Sequence, residues 1–185
     1  MNNVSLRNIV KLFAFGLFFF IGCGFQTSFW PNIITSIPSP QVWLIIILFI
    51  IVRWNNLNYI FYIYFLSYCL TVFSEMPLKM LWTSLFVTYF ILVSIKKRIH
   101  LSGVFSFILL SFLGSLIFEA SCYFLSGVLE PTPVSLMFFD RLLQILVNFI
   151  FSYPLYFALE MLEKSLAVQE DWKTSSQHMQ QDHLS

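Results

Sequence analysis

The chain has 185 residues, of which 58% are hydrophobic, 19% aromatic and only 10% charged, with a formal net charge of +1 and a mean hydropathy of +0.80. A soluble domain carries about 25% charged residues, so this chain cannot clothe a water-facing surface and lipid is its expected solvent. A near-neutral total gives no basis for nucleic-acid binding.

The first apolar segment runs from Ile9 to Gln26, with Arg7 ahead of it and Lys11 near its start. Phe20-Ile21-Gly22-Cys23 bears a faint likeness to a lipoprotein cleavage box. Phe stands before Ile21 rather than Leu, and five more hydrophobic segments follow, so a retained first helix is expected. Lys11 near its start can snorkel to the inner surface. Trp30 to Gln41 carries Pro31, Pro38 and Pro40 and reads as a stiff interfacial loop. The second segment, Val42 to Val52, covers only about 17 Å at 1.5 Å per residue, against a hydrocarbon core of about 30 Å. A short span in a thinned bilayer is the favoured reading. The sharper one is a re-entrant or broken element, about 41–54, lining a cavity.

Arg53 to Asn58 forms a polar turn, and Tyr59 to Phe73 and Leu78 to Ile95 are the third and fourth segments. The fifth runs from Leu101 to Leu125, and Gly127 to Met137, with Glu130, Pro131 and Pro133, makes the last outer loop. The sixth is Phe138 to Leu159. The expected organisation is a short N-terminus over 1–8, a six-helix membrane domain over 9–162, and a polar tail over 163–185. The tail starts helically, with Glu160 four residues before Lys164, and is expected to be disordered at its end. The fold class is an all-α polytopic membrane protein.

Orientation follows from the distribution of Lys and Arg beside the segments. Six spans put Arg7, Lys11, Arg53, Lys96, Lys97, Arg98, Lys164 and Lys173 on one side and leave only Lys79 and Arg141 on the other. That asymmetry predicts both termini inside, with Lys96-Lys97-Arg98 as the topology anchor.

Two helix faces are polar. Arg141, Gln144, Asn148 and Ser152 recur at spacings of three and four, on one face of the sixth segment. The fifth offers Ser111, Ser115, Glu119 and Cys122, with Gly114 beside them. Small residues allow close approach and amides bond across helices, so these faces are expected to pack together or to receive a partner. Glu119 lies about 27 Å from Leu101 at 1.5 Å per residue, near the outer boundary, where either a pair with Arg141 or separate snorkelling of each side chain would let both charges be tolerated. Pro154 should bend the inner third of the last helix.

Nothing catalytic stands out. The sequence lacks a zinc-protease helix, a nucleophile elbow, a phosphate loop and paired intramembrane aspartates. His100, His178 and His183 sit in polar surroundings and read as solvated. Cys23, Cys69 and Cys122 each fall inside an apolar run and read as buried free thiols. No enzyme activity, cofactor or metal is expected.

Three places resemble the MreD family of small bacterial membrane proteins, over about residues 12–165. Trp30-Pro31 followed by Pro40-Gln41 and a short Leu/Ile-rich segment is similar to that family's proline-led approach to its second hydrophobic segment. Thr71-Val72-Phe73-Ser74-Glu75-Met76-Pro77-Leu78-Lys79 resembles its Asp-Leu-Leu-Ser-Gly-x-Pro-Leu-Gly turn. Ser74, Pro77 and Leu78 match there, whereas Thr71, Glu75 and Lys79 replace the acid and the two glycines. Asn148 and Tyr153-Pro154-Leu155, ahead of a charged tail, resemble the last helix. The resemblance implies a non-enzymatic scaffold of the rod-shape machinery, with an MreC-like protein, MreB and peptidoglycan-synthesising membrane enzymes as partners. The alternative from another class is the substrate-binding membrane subunit of a vitamin-uptake transporter of the energy-coupling-factor type, with the aromatics lining a ligand pocket.

Overall fold

The structure, a computed structural model, describes residues 3–35, 37–54, 59–74, 76–98, 103–129 and 138–182. Among these the regular structure is entirely helical: α1 (Asn3–Gly24), α2 (Trp30–Ile33), α3 (Val42–Arg53), α4 (Tyr59–Leu70), α5 (Leu78–Arg98), α6 (Val104–Leu129) and α7 (Phe138–Asp182). Four helical stretches are long and apolar enough to cross a bilayer: Ile9–Ile33, Leu78–Lys97, Val104–Val128 and Phe139–Leu166. The chain is therefore a helical membrane protein. Helices α3 and α4 have 12 residues each, about 18 Å at 1.5 Å per residue.

Several boundaries differ from the sequence expectation. Trp30 to Ile33 is helical rather than loop, because a π-helical turn at Phe25–Phe29 carries α1 directly into α2. The chain then turns extended at Ile34. Ser126 and Gly127 do not end α6, which continues to Leu129. Helix α7 runs through Asp182, well past Leu159. The expected loop over 130–137, the polar turn over 55–58, the inner connection over 99–102 and the terminal residues 183–185 lie outside the described residues.

Helix α3 is the axis of the bundle. Its run from Val42 to Val52 is apolar on every side, and each residue from Val42 to Ile51 is buried. It packs on α1, α5, α6 and α7, while α4 joins α1 to α5. Five helices thus ring α3, and the ring closes between α7 and α1 where Lys11 meets Glu163 at 2.7 Å, with Trp30 of α2 adding a contact to Phe151, centroids 5.3 Å apart. Phe49 gathers Phe15 of α1, Phe107 of α6 and Tyr156 of α7 around it. With lipid as the alternative solvent, packing rather than the hydrophobic effect must hold these helices. Two glycines set the approach. A Cβ on Gly114 would stand 2.6 Å from Leu48 Cδ2, and one on Gly22 would stand 2.7 Å from Val42 Cγ1. The outer faces of the ring expose Phe13, Phe61, Phe105 and Phe139, an apolar girdle suited to lipid.

Candidate functional site

Pro38 to Gln41 enters α3 in non-helical conformation. Irregular backbone at membrane depth is tolerated only where protein satisfies its polar groups. Pro38 and Pro40 lack an N–H, which halves the donors of this stretch. Two amides of α7 bond the backbone of this stretch. Gln144 Nε2 donates to the Ser39 carbonyl at 2.7 Å, and the Gln41 N–H donates to Asn148 Oδ1 at 2.8 Å. Asn148 Nδ2 in turn donates to Gln41 Oε1 at 2.9 Å and reaches Ser115 Oγ at 3.4 Å. Asn148 is fully buried. The stretch from Pro38 to Gln41 is thus a strap pinned by α7.

The same network holds the buried acid. Glu119 Oε2 accepts from Arg141 Nη1 at 2.8 Å, and Glu119 Oε1 accepts from Gln41 Nε2 at 2.9 Å. The Glu119 side chain is 6% exposed while that of Arg141 is 45% exposed. The guanidinium therefore reaches outward from an anchored end, as a snorkelling cation does. The N-terminus of α3, beside Gln41, adds a partial positive charge that also favours an anion here. Because α6 extends to Leu129, Glu119 lies about 15 Å inside that end at 1.5 Å per residue. An end at Leu125 would have left it only about 9 Å from the helix terminus.

Of the polar residues expected on these faces, Ser115, Glu119, Arg141, Gln144 and Asn148 come together. Ser111 and Ser152 do not join them. Ser152 donates within its own helix to the Phe149 carbonyl at 2.7 Å. The buried Ser111 hydroxyl has no hydrogen-bond partner among the described residues. Cys122 turns to α5 and donates to Ser84 Oγ at 3.2 Å. Gln41, at the edge of the second segment, was not among the expected residues, yet it bonds both Asn148 and Glu119.

A second cluster lies at the other end of α3. Glu163 Oε1 accepts from Lys11 Nζ at 2.7 Å and from Trp54 Nε1 at 3.2 Å, while Oε2 accepts from Arg53 Nε at 3.1 Å. Lys11 Nζ also sits 4.4 Å from the Trp54 ring centroid, a cation–π contact. Lys11 therefore does more than snorkel: it ties α1 to α7 across the end of α3. Lys96, Lys97 and Arg98 close α5. Among the resemblance positions, Ser74 Oγ accepts from the Met76 N–H, and the Pro77 carbonyl accepts from the Met80 and Leu81 N–H groups. Pro77-Leu78 thus starts α5. Among the described residues no group of three His, Cys, Asp or Glu side chains gathers as a metal would need.

No protein-family model matches this chain, and no curated protein or solved structure shows significant similarity to it.

Proposed function

We propose that this chain is a non-enzymatic, six-span scaffold of the bacterial cytoplasmic membrane, an MreD-like component of the cell-elongation machinery with both termini inside. One observation carries the reading. Pro40-Gln41 and Asn148, two of the places where the sequence resembles that family, meet through two hydrogen bonds. They are 107 positions apart, so a coincidental likeness gives no reason for them to be partners. In this reading the strap and α3 together make the second span, which accounts for a helix too short to cross alone.

The arrangement of polar groups also supports a structural role. Gln41, Glu119, Arg141, Gln144 and Asn148 are engaged with one another and with strap backbone, rather than converging on a space where a substrate would react. The alternative, a vitamin-binding membrane subunit, needs room within the ring of helices, and α3 fills that axis with ten successive buried residues. The partners of the proposed scaffold are an MreC-like protein, MreB and membrane enzymes of peptidoglycan synthesis.

Affinity purification of the tagged protein from its native membrane tests the reading. An MreC-like partner should be enriched, and the preparation should contain no stoichiometric small molecule. A bound vitamin at about one per chain, with no MreC-like protein, would overturn it.

A further inference from the structure

Helix α7 holds both ends of α3. At one end Gln144 and Asn148 bind the strap at Ser39 and Gln41. At the other, Glu163 binds Arg53, the last residue of α3, and Trp54, which follows it. Asn148 and Glu163 lie about 22 Å apart along α7, and Gln41 and Arg53 about 18 Å apart along α3, at 1.5 Å per residue. The two helices therefore run alongside each other and are joined at both ends.

We propose that α7 is a two-jawed clamp, in which the grip of Glu163 on one end of α3 sets how firmly the strap is seated at the other. Three features carry this. Helix α3 is ringed on all sides, so a change at Arg53 and Trp54 cannot be absorbed by tilting and reaches Gln41 along the axis. The strap has few donors to leave unpaired when it lifts, since Pro38 and Pro40 have none. Pro154 interrupts the helix bonding of α7 between the jaws, which gives α7 a point at which to bend. The seated strap is one state and the lifted strap the other, and the ligand-free equilibrium between them is what a partner on either end of α7 would bias. This goes beyond the scaffold reading and holds for any partner the protein serves.

Hydrogen–deuterium exchange of the full chain in nanodiscs tests the clamp, comparing the parent with Glu163→Gln, Arg53→Gln and Asn148→Leu. Asn148→Leu acts on the strap directly and calibrates its response. Either Glu163→Gln or Arg53→Gln should raise exchange in the peptide covering residues 34–42 by about threefold or more, with peptides of α5 and α6 unchanged. Strap exchange equal to the parent's in both variants, while Asn148→Leu raises it, would overturn the clamp. Exchange that rises throughout the molecule in both would overturn it as well, because the effect would then be global loosening.

Discussion

Asn148→Leu should be the most damaging near-isosteric change in the bundle. Asn148 is 0% exposed. It accepts from the Gln41 N–H at 2.8 Å and donates to Gln41 Oε1 at 2.9 Å. Leucine fits the volume but leaves the backbone donor of Gln41 buried with no acceptor. An orphaned buried group costs about 1–3 kcal/mol, and the lost inter-element hydrogen bond adds roughly 0.6–1.7 kcal/mol by membrane-protein standards. The sum is about 2–5 kcal/mol, or about 4–20 °C in melting temperature for a chain of this size. Ser152→Ala, one turn along the same face, removes only a bond within α7 and should cost under about 0.5 kcal/mol. Tryptophan fluorescence follows the melt in detergent, since Trp43 and Trp54 are buried against the core. Placing Asn148→Leu in a Gln41→Leu background should reduce its cost by about 1 kcal/mol, because one of the two bonds is already gone. Equal melting temperatures for Asn148→Leu and Ser152→Ala would refute the pinning of the strap by α7.

Three further outcomes follow from the same contacts. Gly114→Val should destabilise by about 1–3 kcal/mol through overpacking, since its Cβ alone would stand 2.6 Å from Leu48 Cδ2, and Leu48→Ala should recover part of the loss in a thermal melt. Reversing either Glu119 or Arg141 alone should lower the yield of monodisperse protein by gel filtration, and the double reversal should restore it, because the 2.8 Å pair is rebuilt with opposite sense. Glu163→Gln should cost about 1–3 kcal/mol, as its carboxylate serves three donors, whereas Glu160→Gln, paired only with the exposed Lys164, should cost under about 0.5 kcal/mol.

The polar faces of the last two helices were legible because spacings of three and four force residues to one side of a helix. That logic grouped Ser111, Ser115, Glu119, Arg141, Gln144, Asn148 and Ser152, of which all but Ser111 and Ser152 meet, and the similar depth of Glu119 and Arg141 raised the pair that the structure makes at 2.8 Å. The position of α3 was not legible. A run apolar on all sides looks the same whether lipid or protein surrounds it, so its shortness suggested a thinned bilayer more readily than a buried axis. The signal that would have found Gln41 was present in the prolines beside it. A Pro-Ser-Pro-Gln stretch entering a membrane helix leaves backbone groups that some side chain must satisfy, and Gln144 and Asn148 on the polar face of the last helix were candidates for it. Glu163 was hidden by its surroundings. It follows Glu160 and precedes Lys164 in a charged segment, and the local pair of those two, 3.2 Å in the structure, drew attention from a residue whose partners are Lys11 and Arg53.

Depletion of the protein in its native host measures the proposed role most directly. Cells should widen and round as the protein is lost, with rod shape restored by the parent chain and by Ser152→Ala and not by Asn148→Leu. Cells that keep their width and grow normally after depletion, or that lose only vitamin uptake, would contradict a scaffold of the elongation machinery.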